Sequence, residues 1–294
     1  MRELVVLSGK GGTGKTSVLA SLAVLAGRAV LADCDVDAAD LHLVLQPEVR
    51  QREPFYAGHE AVLHSEWCTA CGSCASLCRA GAIRAENGRY VVEPLLCEGC
   101  GLCVRICPAG AIDFPARLVG ELYVSETRFG PLVHARLEPG GESSGKLVTR
   151  VRQKARRLAA DQGEAWVLVD GPPGIGCPVI ASLTEATAVL AVAEPTPSGR
   201  HDLERLLELC RHFHVAAVVC VNKWDLHPEL TVDIEALAET QGARVLGRIP
   251  YDLTVTAAQI EGRPVVELGG PAAEAITDLW NRFHSNGGPC EHST

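Results

Sequence analysis

The strongest constraint in this chain is the string Gly9-Lys10-Gly11-Gly12-Thr13-Gly14-Lys15-Thr16, which directly follows a short apolar run from Glu3 to Leu7 that ends at Ser8. A helical stretch from about Gly14 to Ala26 comes next. Glycines let consecutive backbone N–H groups wrap an anion, and the N-terminus of a helix adds a favourable dipole. The string satisfies G-x-x-x-x-G-K-[ST], and its position between a strand and a helix separates a phosphate loop from an ordinary glycine-rich turn. Gly11, Gly12, Thr13, Gly14, Lys15 and Thr16 are therefore the expected nucleotide contacts. Lys15 is expected on the β/γ-phosphates and Thr16 on Mg²⁺.

A second buried run, Ala29 to Ala32, completes a β–loop–α–β unit. The rhythm resumes with a helix over Val151 to Gln162 and strands at Trp166 to Asp170 and Ala188 to Ala193. A helix near His201 to His212, the strand VAAVVCVN, the helix IEALAETQ, the strand ARVLGRIP and an amphipathic helix PAAEAITDLWNRF follow. Short β segments alternating with longer α segments predict an α/β fold with a doubly wound, mostly parallel sheet. The 294 residues and 47% hydrophobic content suffice for one large core and a small second domain. A net charge of −9 leaves no electrostatic footprint for nucleic acid or anionic membrane, so neither is an expected partner. With no apolar run of membrane-spanning length and no signal-peptide pattern at MRELVVLSGKGG, the expected location is cytoplasmic.

Thirteen cysteines are many for a reducing compartment, where structural disulfides are rare. Eight of them form a duplication, CTACGSCASLCRAGAI and CEGCGLCVRICPAGAI, with 29 residues from Cys68 to Cys97 and all four cysteines in register. This repeat, with no long helix of its own, predicts a small inserted α+β domain over 59–115, with the main domain formed by 1–58 and 116–294. RLVGELYVSE and GPLVHARLEP read as two strands returning to the main sheet, and GGESSG as an exposed turn. The spacings Cys68-x₂-Cys71-x₂-Cys74-x₃-Cys78 and Cys97-x₂-Cys100-x₂-Cys103-x₃-Cys107-Pro108 are those of a bacterial two-cluster ferredoxin. In that pattern the fourth cysteine of each run ligates the other cluster. One [4Fe–4S] cluster is expected on Cys68, Cys71, Cys74 and Cys107, the other on Cys97, Cys100, Cys103 and Cys78. Zinc is the competing metal, although its sites use pairs of CxxC rather than runs of four. Arg79 stands where the pattern usually has proline.

The form KGGTGKT resembles the deviant Walker A of the MinD/Mrp/ParA family of P-loop ATPases, which includes the nitrogenase iron protein. The resemblance extends over nearly the whole chain, to ATPases of this kind with an inserted ferredoxin domain. It implies that Lys10 reaches across a dimer to the partner's nucleotide. In LADCDVDAADL it implies a water-orienting aspartate at Asp35, with Asp33 just before it, while Asp37 and Asp40 read as capping or surface residues. Asp170 in VLVDGPPG takes the Walker B place, so Thr16, Asp35 and Asp170 are the expected Mg²⁺ surroundings, and Gly171 to Gly176 a switch-like loop. Asn222 is expected at the adenine edge, with Pro250 in the nucleotide rim; Asn-Lys-x-Asp also occurs in GTPases, where the aspartate reads guanine. Cys177 lies seven residues after Asp170, as a cluster-ligating cysteine does in the nitrogenase iron protein. That implies a third cluster shared across a dimer interface, against the plainer reading of a core or loop thiol. Cys34, Cys210, Cys220 and Cys290 also lie outside the repeats; Cys210 and Cys220 read as buried apolar thiols. RVRQKARR reads as the solvated face of a helix.

The function these expectations imply is a Mg²⁺-dependent ATPase, binding ATP/ADP, that couples hydrolysis to electron transfer through two [4Fe–4S] clusters toward a partner protein. The alternative is a carrier or scaffold for iron–sulfur or other metal-cofactor assembly, and a third reading is a cell-positioning switch. The expected assembly is a homodimer, or a heterodimer with a paralogous ATPase, working with a redox or cofactor-assembly partner.

Overall fold

The computed structural model describes residues 1–138 and 144–285. Most of the turn expected at GGESSG, and Cys290, lie outside them. In chain order the strands are β1 (Arg2–Ser8), β2 (Val30–Asp33), β3 (Glu48–His59), β4 (Val62–Leu63), β5 (Ile83–Glu86), β6 (Arg89–Val92), β7 (Ile112–Asp113), β8 (Ala116–Thr127), β9 (Gly130–Leu137), β10 (Trp166–Pro173), β11 (Ala188–Ala193), β12 (Ala216–Asn222) and β13 (Arg244–Ile249). The α-helices are α1 (Lys15–Leu25), α2 (Leu41–Leu45), α3 (Ser73–Leu77), α4 (Leu102–Ile106), α5 (Ser144–Gln162), α6 (Cys177–Leu183), α7 (Pro197–His212), α8 (Pro228–Thr240), α9 (Leu253–Glu261) and α10 (Pro271–Ser285).

Nine strands form one sheet in the order β13-β12-β11-β1-β10-β2-β9-β8-β3. β1 pairs in parallel with β10 and β11, and parallel pairing continues outward to β12 and β13 on one side and to β2 and β9 on the other. The α/β class and the mostly parallel sheet are as the alternation of elements predicts. Parallel neighbours cannot be joined by a tight turn, so each pair needs a crossover. β1 is buried from Glu3 to Ser8. Helix α1 packs Val18, Leu19 and Leu22 into the core shared with Ile276, Leu279, Trp280 and Phe283 of α10. This contact explains the apolar stripe of the C-terminal helix.

β1 carries a charge into this core. The Glu3 side chain is only 3% exposed and meets Arg152, itself 4% exposed, and Arg156. Arg152 Nε donates to Glu3 Oε1 at 2.9 Å and its Nη2 to Oε2 at 2.8 Å. Its Nη1 donates to the carbonyl of Thr184 at 2.9 Å and to that of Ala181, at the end of α6. The basic run of α5 is therefore not simply a solvated face: Arg152 is buried because Glu3 needs a bidentate partner. The helix also starts earlier than expected, at Ser144.

The sequence offers no warning of β3. Its first six residues, EVRQRE, are charged or polar apart from Val49, and Pro54 follows. The strand exists because β8 hydrogen-bonds to it, and its position at the sheet edge tolerates both charge and proline. The described residues divide into two compact units, one from Pro54 to Glu121 with 137–138, and one formed by 1–53, 122–136 and 144–285. The expected boundaries at 58/59 and 115/116 fall within β3 and at the start of β8.

In the smaller unit, β4 pairs with β7 and β5 with β6, both antiparallel. The sequence duplication reappears as geometry. Gly72 (φ 75°) precedes α3, Gly101 (φ 71°) precedes α4, and the two helices end in extended residues at Cys78 and Cys107. The Ala82 N–H donates to Cys78 Sγ, and the Ala111 N–H to Cys107 Sγ, both at 3.3 Å. No helix of the described residues is long and apolar enough to cross a membrane.

Two predictions follow from the packing of the larger unit. Arg152→Met leaves the buried Glu3 with Arg156 on Oε2 alone and strips Oε1 of its partner, so chemical denaturation should show a loss of about 3 kcal/mol, and adding Glu3→Gln should recover part of it. His134, hydrogen-bonded to Ser125 Oγ at 2.9 Å and stacked on Tyr123, is held neutral by burial, with His42 adding to the effect, down to about 4 from an ordinary 6.5. The unfolded chain takes up this proton first as pH falls. Its contribution to stability is therefore complete above about 6.5 and is lost progressively toward about 4. His134→Gln should flatten the fall in denaturation midpoint over that window.

Candidate nucleotide site and cysteine cavities

β1 runs out at Ser8, and the loop that follows delivers the chain to the N-terminus of α1. Gly14 makes that turn with φ of 92°, and a Cβ there would sit 2.4 Å from Asn222 Nδ2. Only glycine meets both demands. The Asn222 Nδ2 donates to the Thr13 carbonyl at 2.7 Å, and its Oδ1 accepts from the Lys223 N–H at 3.0 Å. One N–H of the Asn222 amide is thus spent on fastening the glycine loop, a task the expected base contact did not include.

Over this loop lies a cavity of about 640 Å³. Gly11, Gly12, Gly14, Lys15, Thr16 and Asp35 line it, together with Ser17, Asp37, Asp40 and Gln259. Asp37 and Asp40, expected to be capping or surface residues, thus face the same space as Asp35. Asp40 precedes α2 but makes no side-chain cap. The Leu41 N–H is taken instead by Asp33 Oδ2 at 3.2 Å.

Asp33, the last residue of β2, is the register partner of Asp170 within β10, and both are almost wholly buried. Burial raises both carboxyls, Asp170 to about 6, and the charge of Asp170 raises Asp33 further. Thr16 Oγ1 donates to Asp170 Oδ2 at 2.6 Å, whereas Asp170 Oδ1 is buried without a partner. A hydroxyl, a nearby carboxylate with an open lone pair and Asp35 across the cavity form a hard oxygen donor set that fits Mg²⁺. Asp35 is itself raised by burial and lowered by Lys15. The expected switch-like loop is shorter than 171–176. β10 continues to Pro173, where it pairs with Ser8, and Gly171 packs so tightly that a Cβ would lie 2.3 Å from Leu7 Cδ2.

Lys10 and Thr13 do not line the phosphate cavity. Lys10 Nζ sits 3.0 Å from Glu194 Oε2 and donates to Thr196 Oγ1 at 2.9 Å, and Thr13 Oγ1 is buried without a partner. A second cavity of about 210 Å³ adjoins the loop, lined by Asn222, Pro250, Tyr251, Val255, Ile276 and neighbours. Asp225, the position that would read guanine, is not among its lining. Its Oδ1 accepts the Tyr251 N–H at 2.7 Å.

The smaller unit holds two further cavities. One, of about 220 Å³, is lined by Cys74, Cys78, Cys97, Cys100 and Cys103; the other is lined by Cys68, Cys71, Cys107 and again Cys74. The second measures only about 10 Å³, so its thiols must swing outward to admit a group larger than water. As they stand, no three His, Cys, Asp or Glu side chains among the described residues are close enough together to hold a metal ion. In donor chemistry and number, eight thiols with backbone N–H groups aimed at Cys68, Cys78 and Cys107 fit iron–sulfur ligation. Outside this unit, Cys210 and Cys220 are buried and pushed up to about 12, the behaviour of inert core thiols. Cys177 is exposed at the first position of α6.

The sequence matches the family described as the CobQ/CobB/MinD/ParA nucleotide binding domain over residues 4–265. The chain belongs to this family. Two uncharacterized proteins of Methanocaldococcus jannaschii are similar to it. MJ0578 is 36% identical over 75% of this chain and 78% of its own length, and MJ0579 is 25% identical over 77% and 81%. Among solved structures, the septum site-determining protein MinD of Pyrococcus horikoshii, complexed with Mg-ADP, superposes with a TM-score of 0.58 at 19% identity. It covers 98% of this chain and 97% of that one. Membership makes the chain a nucleotide-binding domain of the MinD/ParA type, and the cavity over the glycine loop is where its own residues offer phosphate-binding groups.

Ser17, Gln259, Asp37 and Asp40 join the site without having been expected there. Ser17 could have been found, as the neighbour of Thr16 on the same helix turn. Gln259 had no sequence signal, since α9 reaches the cavity only through the fold. Gly14→Ala should fold but bind Mg·ATP at least about tenfold more weakly in equilibrium dialysis, because it combines positive-φ strain with a clash against Asn222.

Proposed function

We propose that the chain is a Mg²⁺-dependent ATPase carrying two [4Fe–4S] clusters, and that it couples ATP hydrolysis to electron transfer toward a partner protein. The observation that carries this reading is the coincidence, in one family member, of the phosphate-loop cavity with two cysteine-lined cavities. The cysteines lining those cavities support the two ligand sets expected from spacing, with Cys74 lining both cavities.

In this reading the glycine loop and Lys15 bind the phosphates, and Thr16 and Asp170 would hold Mg²⁺, which supplies charge neutralisation on the β/γ-phosphates. Asp35 faces the same space and orients the attacking water. Asn222 keeps the loop shaped for phosphate by holding the Thr13 carbonyl. Burial of the Asp33–Asp170 pair without a cation is unfavourable, which favours metal entry. Capture of Asp225 by the Tyr251 N–H supports adenine over guanine. Lys10, paired with Glu194 and Thr196 within one chain, is the residue that would exchange these partners for a second subunit's nucleotide. The assembly is a homodimer or a heterodimer of paralogues, and the presence of two relatives in one organism supports the second. The exposed Cys177 is the candidate ligand for a third cluster at such an interface.

The test combines iron analysis with two transfer assays on one anaerobic preparation. At least eight irons per chain and no zinc are expected. Reduced protein should pass electrons to an acceptor protein faster with ATP while keeping its iron. Loss of intact clusters to an apo-protein would instead establish the assembly-carrier reading, and the absence of iron would overturn both. Iron above eight per chain that falls on Cys177→Ser is the expected sign of the interface cluster, and unchanged iron in that variant would remove it.

A further inference from the structure

The two cavities beside the glycine loop differ in the chemistry of their lining. Phosphate-binding groups line the cavity of about 640 Å³, and the apolar floor of Val255 and Ile276 lies in the one of about 210 Å³. A nucleotide filling both must cross between them with its sugar. Four residues border both cavities: Gly12, Gly14, Ser17 and Gln259. Two are glycines with no side chain, so any side-chain contact at the crossing comes from Ser17 or Gln259.

These two are already joined. Gln259 Nε2 donates to Ser17 Oγ at 2.9 Å, and this bond spans 242 residues of chain. Ser17 is buried at 8% exposure on α1, whereas Gln259 is exposed on α9. The bond to Ser17 fixes the direction of the amide. It leaves the Gln259 carbonyl oxygen and its second N–H, one acceptor and one donor, available on a residue that lines both cavities. A ribose presents two vicinal hydroxyls, each both donor and acceptor, and matches that pair. The same end of α9 is held by a second contact, where Gln46 Nε2 donates to the Gly262 carbonyl at 3.3 Å.

We propose that Gln259 is a specificity-determining residue that hydrogen-bonds the ribose hydroxyls of the bound nucleotide, so that the chain distinguishes ribonucleotides from deoxyribonucleotides. This rests on the nucleotide-binding reading above and adds the sugar to it. A site built to bond a hydroxyl rejects the analogue that lacks it, because its own polar groups are left unpaired.

The experiment is a calorimetric comparison of ATP, 2′-deoxy-ATP and 3′-deoxy-ATP, each with Mg²⁺, on the full chain and on Gln259→Ala and Gln259→Leu. The unaltered chain should bind ATP about three- to tenfold more tightly than at least one deoxy analogue, the range expected for one or two net hydrogen bonds. Both variants should bring that ratio close to one. Gln259 is exposed, so the variants are expected to fold, and equal thermal midpoints check this. A variant that weakens all three nucleotides equally shows that Gln259 acts only by holding Ser17, and this overturns the proposal. Equal binding of all three by the unaltered chain also overturns it. Failure of the unaltered chain to bind any of them counts against the nucleotide-binding reading itself.

Discussion

β1 lies in the middle of a parallel sheet and is buried from its second residue to its last, so every polar group it carries has to be answered by another part of the chain. At one end, Glu3 is answered by Arg152 and Arg156, and Arg152 also ties down the carbonyls that end α6. At the other end Ser8 closes the strand, with its hydroxyl donating to the Lys10 carbonyl at 2.6 Å and its own carbonyl accepting the Gly174 N–H at 3.0 Å. The glycine loop is thus suspended from a rigid strand. A phosphate cradle needs such a strand because its backbone donors must keep their direction when the ligand is absent.

The same placement concentrates negative charge. β2 ends beside β10 with Asp33 and Asp170 in register, and the chain after β2 then turns so that Asp35, Asp37 and Asp40 face the phosphate cavity. Only Lys15 opposes them among the residues lining that cavity. Such an arrangement is unfavourable by itself and becomes favourable when a divalent cation enters, which is the usual economy of a site that is less stable than the fold holding it.

In the smaller unit the duplication has a different physical basis. Each repeat uses a left-handed glycine to start a five-residue helix, and each aims a backbone N–H at the sulfur of its last cysteine. The cavities do not follow the repeats in order. Cys107 of the second repeat borders the cavity of the first, and Cys78 of the first borders that of the second. A helical turn between the third and fourth cysteines carries the last sulfur across.

By itself the sequence determined what is local. Periodicity, glycine and proline placement and spacing identified the β1–loop–α1 unit, the alternating α/β order and the cysteine sets, because each rests on residues close in the chain. Tertiary structure alone decided the rest. β3 is a strand only because β8 pairs with it, and Arg152 is buried only because Glu3 arrives from 149 residues away. Gln259 reaches Ser17 only after the sheet has closed between them. Such pairings leave no periodic trace, since each is one contact between distant segments and selects one residue type at one position.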